Sequence, residues 1–259
     1  MTTVAIMQPS YMPWIGYLDL IDRADAFVFL DDIIYSHRSW QQRNRIKTPD
    51  GLGWITVPVR HTRHNEHPIN EVMIAEPQFW QKHLRTITAN YARAPHYQFF
   101  NEKLCEIFED NRPPNSLATI NITIIRKFAE WAELSSRFAL SSEFAITQTK
   151  TERLVALCKA LDADTYISPL GSITYLAESS DKFEAEGLNL RFQNFLHPEY
   201  AQRFPPFAAY ASALDLFMNE GPDAARIIRQ GRKDDLSVEG ARQLQQAQES
   251  GTAFDPEPE

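Results

Sequence analysis

Val4-Ala-Ile-Met-Gln-Pro-Ser-Tyr-Met-Pro-Trp-Ile-Gly-Tyr17, continued by Leu18-Asp-Leu-Ile-Asp-Arg-Ala-Asp-Ala-Phe-Val-Phe-Leu-Asp-Asp32, reads as a buried strand, a tight loop, a short helix and a second buried strand ending in two carboxylates. Val4 to Met7 is a short apolar run, the pattern of a strand covered on both faces. Pro9 and Pro13 forbid regular structure and hold the loop open. Gly16 permits close backbone approach, and Leu18, Leu20 and Ile21 give the helix a core-facing stripe. Asp31 and Asp32 fall just past the carboxyl end of the second strand, where an open α/β sheet binds its ligands.

Further along, strand and helix patterns alternate. Trp54 to Val59 reads as a strand, with Ile69 to Ile74 as its partner. Between Asp32 and Trp54 the sequence is irregular and reads as a mobile loop. Residues 78 to 91, Tyr97 to Phe108 and Leu117 to Leu134 carry apolar residues at helical spacing, the last following the Pro113-Pro114 break. Glu152 to Leu161, Thr165 to Ser168 and Ile173 to Leu176 read as helix, strand, helix. Leu188 to Phe192 is one more strand. Ala211 to Asn219 and Pro222 to Gln230 close the series as helices. The alternation predicts an α/β fold, with a mostly parallel open sheet, helices on both faces, and helical additions in the middle and C-terminal parts. A single domain is expected over 1–232. Residues 233–259 turn polar and read as a tail, frayed or disordered from about Gln243.

Composition narrows the function classes. The chain has 259 residues, 43% of them apolar, with 16 prolines and a formal net charge of −8. No apolar run approaches the ~18 residues of a membrane helix. The N-terminus lacks a signal peptide's pattern. The two cysteines, Cys105 and Cys158, suggest no disulfide framework. A cytoplasmic protein without integral membrane segment is expected. Bulk acidity argues against nucleic acid as a partner. Arg38, Arg43, Arg45, Lys47, Arg60 and Arg63 nevertheless crowd one region, which points to a small anionic ligand such as a phosphate or diphosphate.

The candidate groups follow. Alternation in Arg43-Asn44-Arg45 places both guanidinium groups on one side of an extended segment, where two forks grip an anion better than Lys47 alone. The alternative is a solvated basic loop. Asp31 and Asp32 suit Mg²⁺ bridging phosphates or proton transfer, or else a capped turn. His197 precedes Pro198 in an irregular segment after a strand, and is a candidate general base or a structural histidine. Gln8, Tyr11, Trp14 and Tyr17 line the first loop as sugar or base contacts, or as loop packing. Ser168, in Ser168-Pro-Leu-Gly-Ser172, opens a helix whose amides suit an anion, or is part of a plain capping loop. His61, His64 and His67 lie between Pro58 and Pro68, which disfavours a helix. They are expected in a solvated loop and not around a metal.

Several of these stretches together resemble one family. Gln8-Pro-Ser-Tyr-x-Pro-Trp-x-Gly-Tyr17, Asp25-Ala-Phe-Val-Phe-Leu-Asp-Asp32, Gln42-Arg-Asn-Arg-Ile-Lys47 and Trp54-Ile-Thr-Val-Pro58 resemble the WbqC-like family. So do Tyr166-Ile-Ser-Pro-Leu-Gly171, His197-Pro-Glu-Tyr-Ala-Gln202 and Ser212-Ala-Leu-Asp-Leu-Phe-Met-Asn-Glu-Gly221. The resemblance implies bacterial surface polysaccharide synthesis, especially of lipopolysaccharide O-antigen, and supplies no reaction. Trp14-Ile-Gly-Tyr17 is also similar to the His-x-Gly-His of nucleotidylyltransferases and pantoate–β-alanine ligase, with aromatic residues at both histidine positions. That likeness implies a nucleotidylyltransferase-like first half.

An enzyme acting on a nucleotide-linked or lipid-linked amino sugar is the reading that follows, by group transfer or amide formation. Arg43, Arg45 and Lys47 would hold the diphosphate, Trp14 and Tyr17 would stack, an Asp would hold Mg²⁺ and His197 would act as base. The alternative is a non-catalytic nucleotide-sugar-binding or scaffold subunit of the same pathway.

Overall fold

The first apolar run becomes the central strand of a parallel sheet. The structure is a computed structural model describing residues 1–60, 67–110 and 116–249. Its strands are β1 (Thr3–Met7), β2 (Ala26–Phe29), β3 (Arg43–Thr48), β4 (Gly51–Thr56), β5 (Arg137–Leu140), β6 (Thr165–Ser168) and β7 (Asn189–Phe192). The α-helices are α1 (Ile15–Arg23), α2 (Phe79–Tyr91), α3 (Tyr97–Asp110), α4 (Leu117–Trp131) and α5 (Lys150–Ala160). They continue as α6 (Ile173–Leu176), α7 (Ser180–Ala185), α8 (Ala213–Glu220), α9 (Ala224–Gln230) and α10 (Val238–Glu249). Among the described residues no helix is long and apolar enough to cross a membrane.

Five strands pair in the order β5-β2-β1-β6-β7, every pair parallel. Residues alternate between two cores. Ala5, Phe27, Phe29 and Ile167 face the core built with α1 to α4, α8 and α9. Val4, Ile6, Val28 and Tyr166 face the core built with α5, α6, α7 and α10. Burial on both faces explains why these strands are apolar runs. From β1 the chain moves outward to β2 and β5, then returns to the other side of β1 for β6 and β7. The sheet therefore reverses direction between β1 and β6, and the crevice beyond their carboxyl ends is the expected ligand position.

The region read as a basic loop followed by a strand is organised differently. Arg43 to Thr48 is itself a strand, β3, paired antiparallel with β4. Thr48-Pro49-Asp50-Gly51 makes the turn, and Gly51 has φ +106°, which a residue with a Cβ rarely adopts. Ile69 to Ile74 is not a strand: among the described residues it meets the segment after β4 through the isolated bridge Val59–Ile74 and the start of α4 through Met73–Ser116. The preceding segment is pinned. Asn121 of α4 donates from Nδ2 to Pro9 O (2.9 Å) and Gln41 O (2.7 Å), and Ser36 N donates to Gln41 Oε1 (2.9 Å).

Of the residues expected as a tail, 233–249 pack against the sheet. Leu236 and Phe192 exchange backbone hydrogen bonds, and Ala241 of α10 is buried. Residues 250–259 lie outside the described residues, as do His61, Arg63, His64 and the Pro113-Pro114 break.

Candidate functional site

A cavity of about 190 Å³ opens where the sheet reverses direction. Its walls come from the end of β1 (Met7, Gln8), the following loop (Ser10, Pro13, Trp14), Tyr17 of α1, Trp40, β3 (Asn44, Arg45), the loop after β6 (Pro169, Gly171) and Tyr210.

Each wall is fixed by hydrogen bonds or close packing. Tyr17 donates its hydroxyl to Gln8 O (3.0 Å), closing the first loop onto α1. The Gln8 side chain accepts from Gln41 Nε2 (2.9 Å). Asn44 is buried, with Nδ2 donating to Tyr11 O (3.1 Å) and Oδ1 accepting from Arg45 N (2.8 Å), so its amide holds backbone. Gln193, just past β7, donates to Gly16 O and to the buried Asp19 carboxylate, both at 2.8 Å, which ties α1 to the next sheet edge. Gly16 is glycine because Trp14 lies against it: a Cβ there would meet indole carbons at 2.2–2.6 Å. Trp14 stacks on His197 (centroids 6.1 Å apart, planes 14°) and touches Phe195 and Tyr210. It is therefore a fixed wall, not a free stacking platform.

Arg45 supplies the positive charge. Its guanidinium carbon lies 5.3 Å from the Trp40 ring centroid and 5.5 Å from that of Trp54, while that of Arg43 lies 4.1 Å over Trp54. Arg43 and Arg45 sit on one side of β3, as the alternation requires. Among the described residues neither makes an ion pair with a carboxylate. Arg43 Nε and Arg45 Nε and NH2 are buried without hydrogen-bond partners. Burial pulls the Arg45 pKa below its ordinary value, as expected of a charge held without a counter-ion. Buried donors of this kind are rare unless something else occupies them.

Other expected site residues lie elsewhere, each for a physical reason. Asp31 accepts from Ser141 Oγ (3.2 Å), Ser142 N (3.0 Å) and Ser142 Oγ (2.7 Å), and Asp32 from Ser141 Oγ and Arg153. Burial would raise the Asp32 pKa, but hydrogen bonds from Ser141 and Arg153 outweigh it and hold the carboxyl below its usual range. The pair thus latches β2 to the end of β5, one strand away from the reversal point. A Mg²⁺ ion there would have to displace Arg153.

Tyr11 is wholly buried, its hydroxyl bonded to His83 Nδ1 (2.8 Å), and belongs to the core. Lys47 is buried, with Nζ donating to Pro206 O (2.6 Å), so it holds a loop. Ser168 is tied to Ser172 Oγ (2.7 Å) and Tyr166 OH (3.2 Å) beneath the Pro169–Gly171 rim. No group of three or more His, Cys, Asp or Glu side chains able to hold a metal occurs among the described residues.

His197 stands behind the Trp14 and Tyr210 wall. Burial pulls its pKa down to about 4, partly opposed by its bond to Pro198 O. Nδ1–H donates to that carbonyl (2.9 Å), which leaves Nε2 as an unprotonated acceptor, and Nε2 is buried with no partner. The sequence did not single out Ser10 or Tyr210. Tyr210 adopts φ +63°, and nothing local marks it.

Comparison with known proteins places this geometry. Residues 8–227 match the WbqC-like protein family, a span containing every cavity residue except Met7. An alignment of 236 residues, 34% identical, pairs 90% of the chain with the full length of the "uncharacterized protein Rv1507c" of Mycobacterium tuberculosis. No solved structure matches.

Proposed function

The chain belongs to the WbqC-like family, and from that premise we propose that the cavity is the substrate site of a cytoplasmic transferase of bacterial surface polysaccharide synthesis. It grips the diphosphate of a nucleotide-linked or lipid-linked sugar. The observation that carries this reading is the Arg43–Arg45 pair, held by aromatic faces and not by carboxylates, with buried N–H groups left without partners. Guanidinium forks are suited to bidentate phosphate recognition. The family's link to surface polysaccharide, including O-antigen, directs the choice among diphosphates toward activated sugars.

In this reading a hydroxyl or amine of the acceptor attacks the activated donor and the donor's leaving group departs with its electron pair. The proton leaves to solvent through the cavity mouth, since His197 lies behind the Trp14 and Tyr210 wall and not in the lining.

A second reading, binding without turnover, has its own support. The cavity-lining residues include no carboxylate, and both Asp31 and Asp32 are occupied elsewhere. A thermal-shift panel of nucleotide sugars, nucleoside diphosphates and undecaprenyl-diphosphate sugars, followed by product analysis on each hit, separates the two. Binding with product formation supports the transferase, and binding without product supports the second reading. A panel with no hit sinks both.

A further inference from the structure

We propose that Asp215 is the positioning residue of this cavity, a buried carboxylate that fixes its arginine wall against its aromatic wall. The inference rests on the cavity being the ligand site. Asp215 lies in the first turn of α8 and is fully buried. Its Oδ1 accepts from Tyr91 OH (2.6 Å), and its Oδ2 from Tyr200 OH (2.7 Å) and Gln202 Nε2 (2.8 Å).

Each arm ends on a different wall. Tyr91 OH also accepts from Lys47 N (2.8 Å), so the Oδ1 arm terminates on β3, two residues from Arg45. Gln202 grips Ala208 twice, Nε2 to Ala208 O (3.1 Å) and Ala208 N to Oε1 (2.8 Å). Tyr200 and Phe207 pack on each other and on His197, which in turn packs on Trp14 and Tyr210. The Oδ2 arm therefore sets the aromatic side. The start of the same helix completes the junction. Ser212 N donates to Arg45 O (2.8 Å), and Ala213 N donates to Pro13 O (2.7 Å).

The chemistry explains why the residue is an aspartate. Three donors converge on the site, and a carboxylate accepts them all without offering a donor of its own. Burial opposes the charge and raises the Asp215 pKa, against the hydrogen bonds from Tyr91, Gln202 and Tyr200 and the nearby Lys47 ammonium. A helix end needing only stability would be served by apolar packing. A fully satisfied buried polar junction instead specifies one geometry.

The test uses Asp215→Asn with the milder Tyr91→Phe and Tyr200→Phe, each of which removes one arm and keeps the ring. Isothermal titration with uridine diphosphate is read beside amide hydrogen exchange. Each phenylalanine variant should remain folded and weaken the diphosphate at least 10-fold. Asp215→Asn should lose exchange protection in both 43–47 and 200–210. Lower melting midpoints with wild-type affinity would make the network purely structural and overturn the proposal. So would loss of protection in one arm alone, which also decides the matter if Asp215→Asn is the weakest folder. A wild-type protein that binds no diphosphate refutes the anion-site reading by itself, and the exchange result then judges the junction independently.

Discussion

Arg45→Ala removes a guanidinium whose Nε and NH2 are buried without partners, and the consequences for stability and binding can be worked separately. Leaving a buried donor unsatisfied costs about 1–3 kcal/mol, so two such groups burden the unliganded protein by about 2–6 kcal/mol. Against this, alanine loses cation–π contacts to Trp40 and Trp54, at about 0.5–1 kcal/mol each. It also loses two stem methylenes, about 1 kcal/mol at half burial. The losses come to about 2–3 kcal/mol against this relief, so Arg45→Ala should be destabilised by no more than about 1 kcal/mol and is stabilised if the relief is larger. Binding has no such cancellation. Charge-assisted hydrogen bonds to a diphosphate contribute about 1.5–3 kcal/mol, so affinity should fall about 10- to 150-fold. Guanidinium chloride unfolding and isothermal titration with uridine diphosphate measure the two quantities. A variant destabilised by more than about 2 kcal/mol with unchanged affinity would show Arg45 to be a structural strut, and the anion reading would fall with it.

Gly16→Ala should destabilise by about 1–3 kcal/mol from overpacking, offset by about 1 kcal/mol of helix propensity, because its Cβ displaces the Trp14 indole. A shifted tryptophan emission maximum checks the displacement, and an unchanged spectrum refutes the packing argument. Asp32→Asn should lower the melting midpoint while leaving diphosphate affinity intact, since Asp32 holds Arg153 and Ser141. Intact folding with abolished turnover would return the carboxylate to the chemistry. His83 and His197 are both pulled by burial from 6.5 down to about 4, so the unfolded chain binds more protons than the native one between those values. Stability should therefore be complete above about pH 6.5 and fall as pH drops toward 4, by up to about 3 kcal/mol per histidine. Chemical unfolding at stepped pH reads this, and a flat profile across that range refutes the neutral assignment.

The parallel sheet was legible wherever a strand is covered on both faces. Val4 to Met7 announces itself as an apolar run, Leu188 to Phe192 alternates apolar with polar residues, and Asp31-Asp32 marks a strand end as read. Strand β5 was not legible: Arg137-Phe-Ala-Leu140 has no period-two alternation and no β-branched residue. The β3–β4 hairpin carried a usable signal in Pro49-Asp50-Gly51, whose turn chemistry outweighs the basic composition of the strand before it.

Site residues divide along a similar line. That Arg43 and Arg45 share one side of a strand was legible because period-two alternation is a local property. Tyr11, Lys47, Asp31 and Asp32 share the polar character and chain neighbourhood of the cavity residues. Their partners, His83, Pro206, Ser142 and Arg153, lie far along the sequence. Which polar group is spent on structure and which is left for a ligand is decided by those distant partners.

The source of the positive charge follows from where the fold places its loops. The loop after β1 approaches the reversal point of the sheet most closely, but every polar group it has committed is turned inward: Tyr17 to Gln8 O, and the Gln8 side chain to Gln41. Trp14 is packed between Gly16 and His197 and brings no charge. An anion in this crevice must therefore be neutralised from outside the β1–α1 unit. The segment inserted between β2 and β5 does this by folding β3 across the mouth and fixing Arg45 to Ser212 and Asn44. In the proposed reading the sheet sets where the ligand sits, while the inserted hairpin sets which charge it must bear. Substitutions in β3 should consequently change ligand choice without disturbing the sheet, whereas substitutions in the loop after β1 should disturb both.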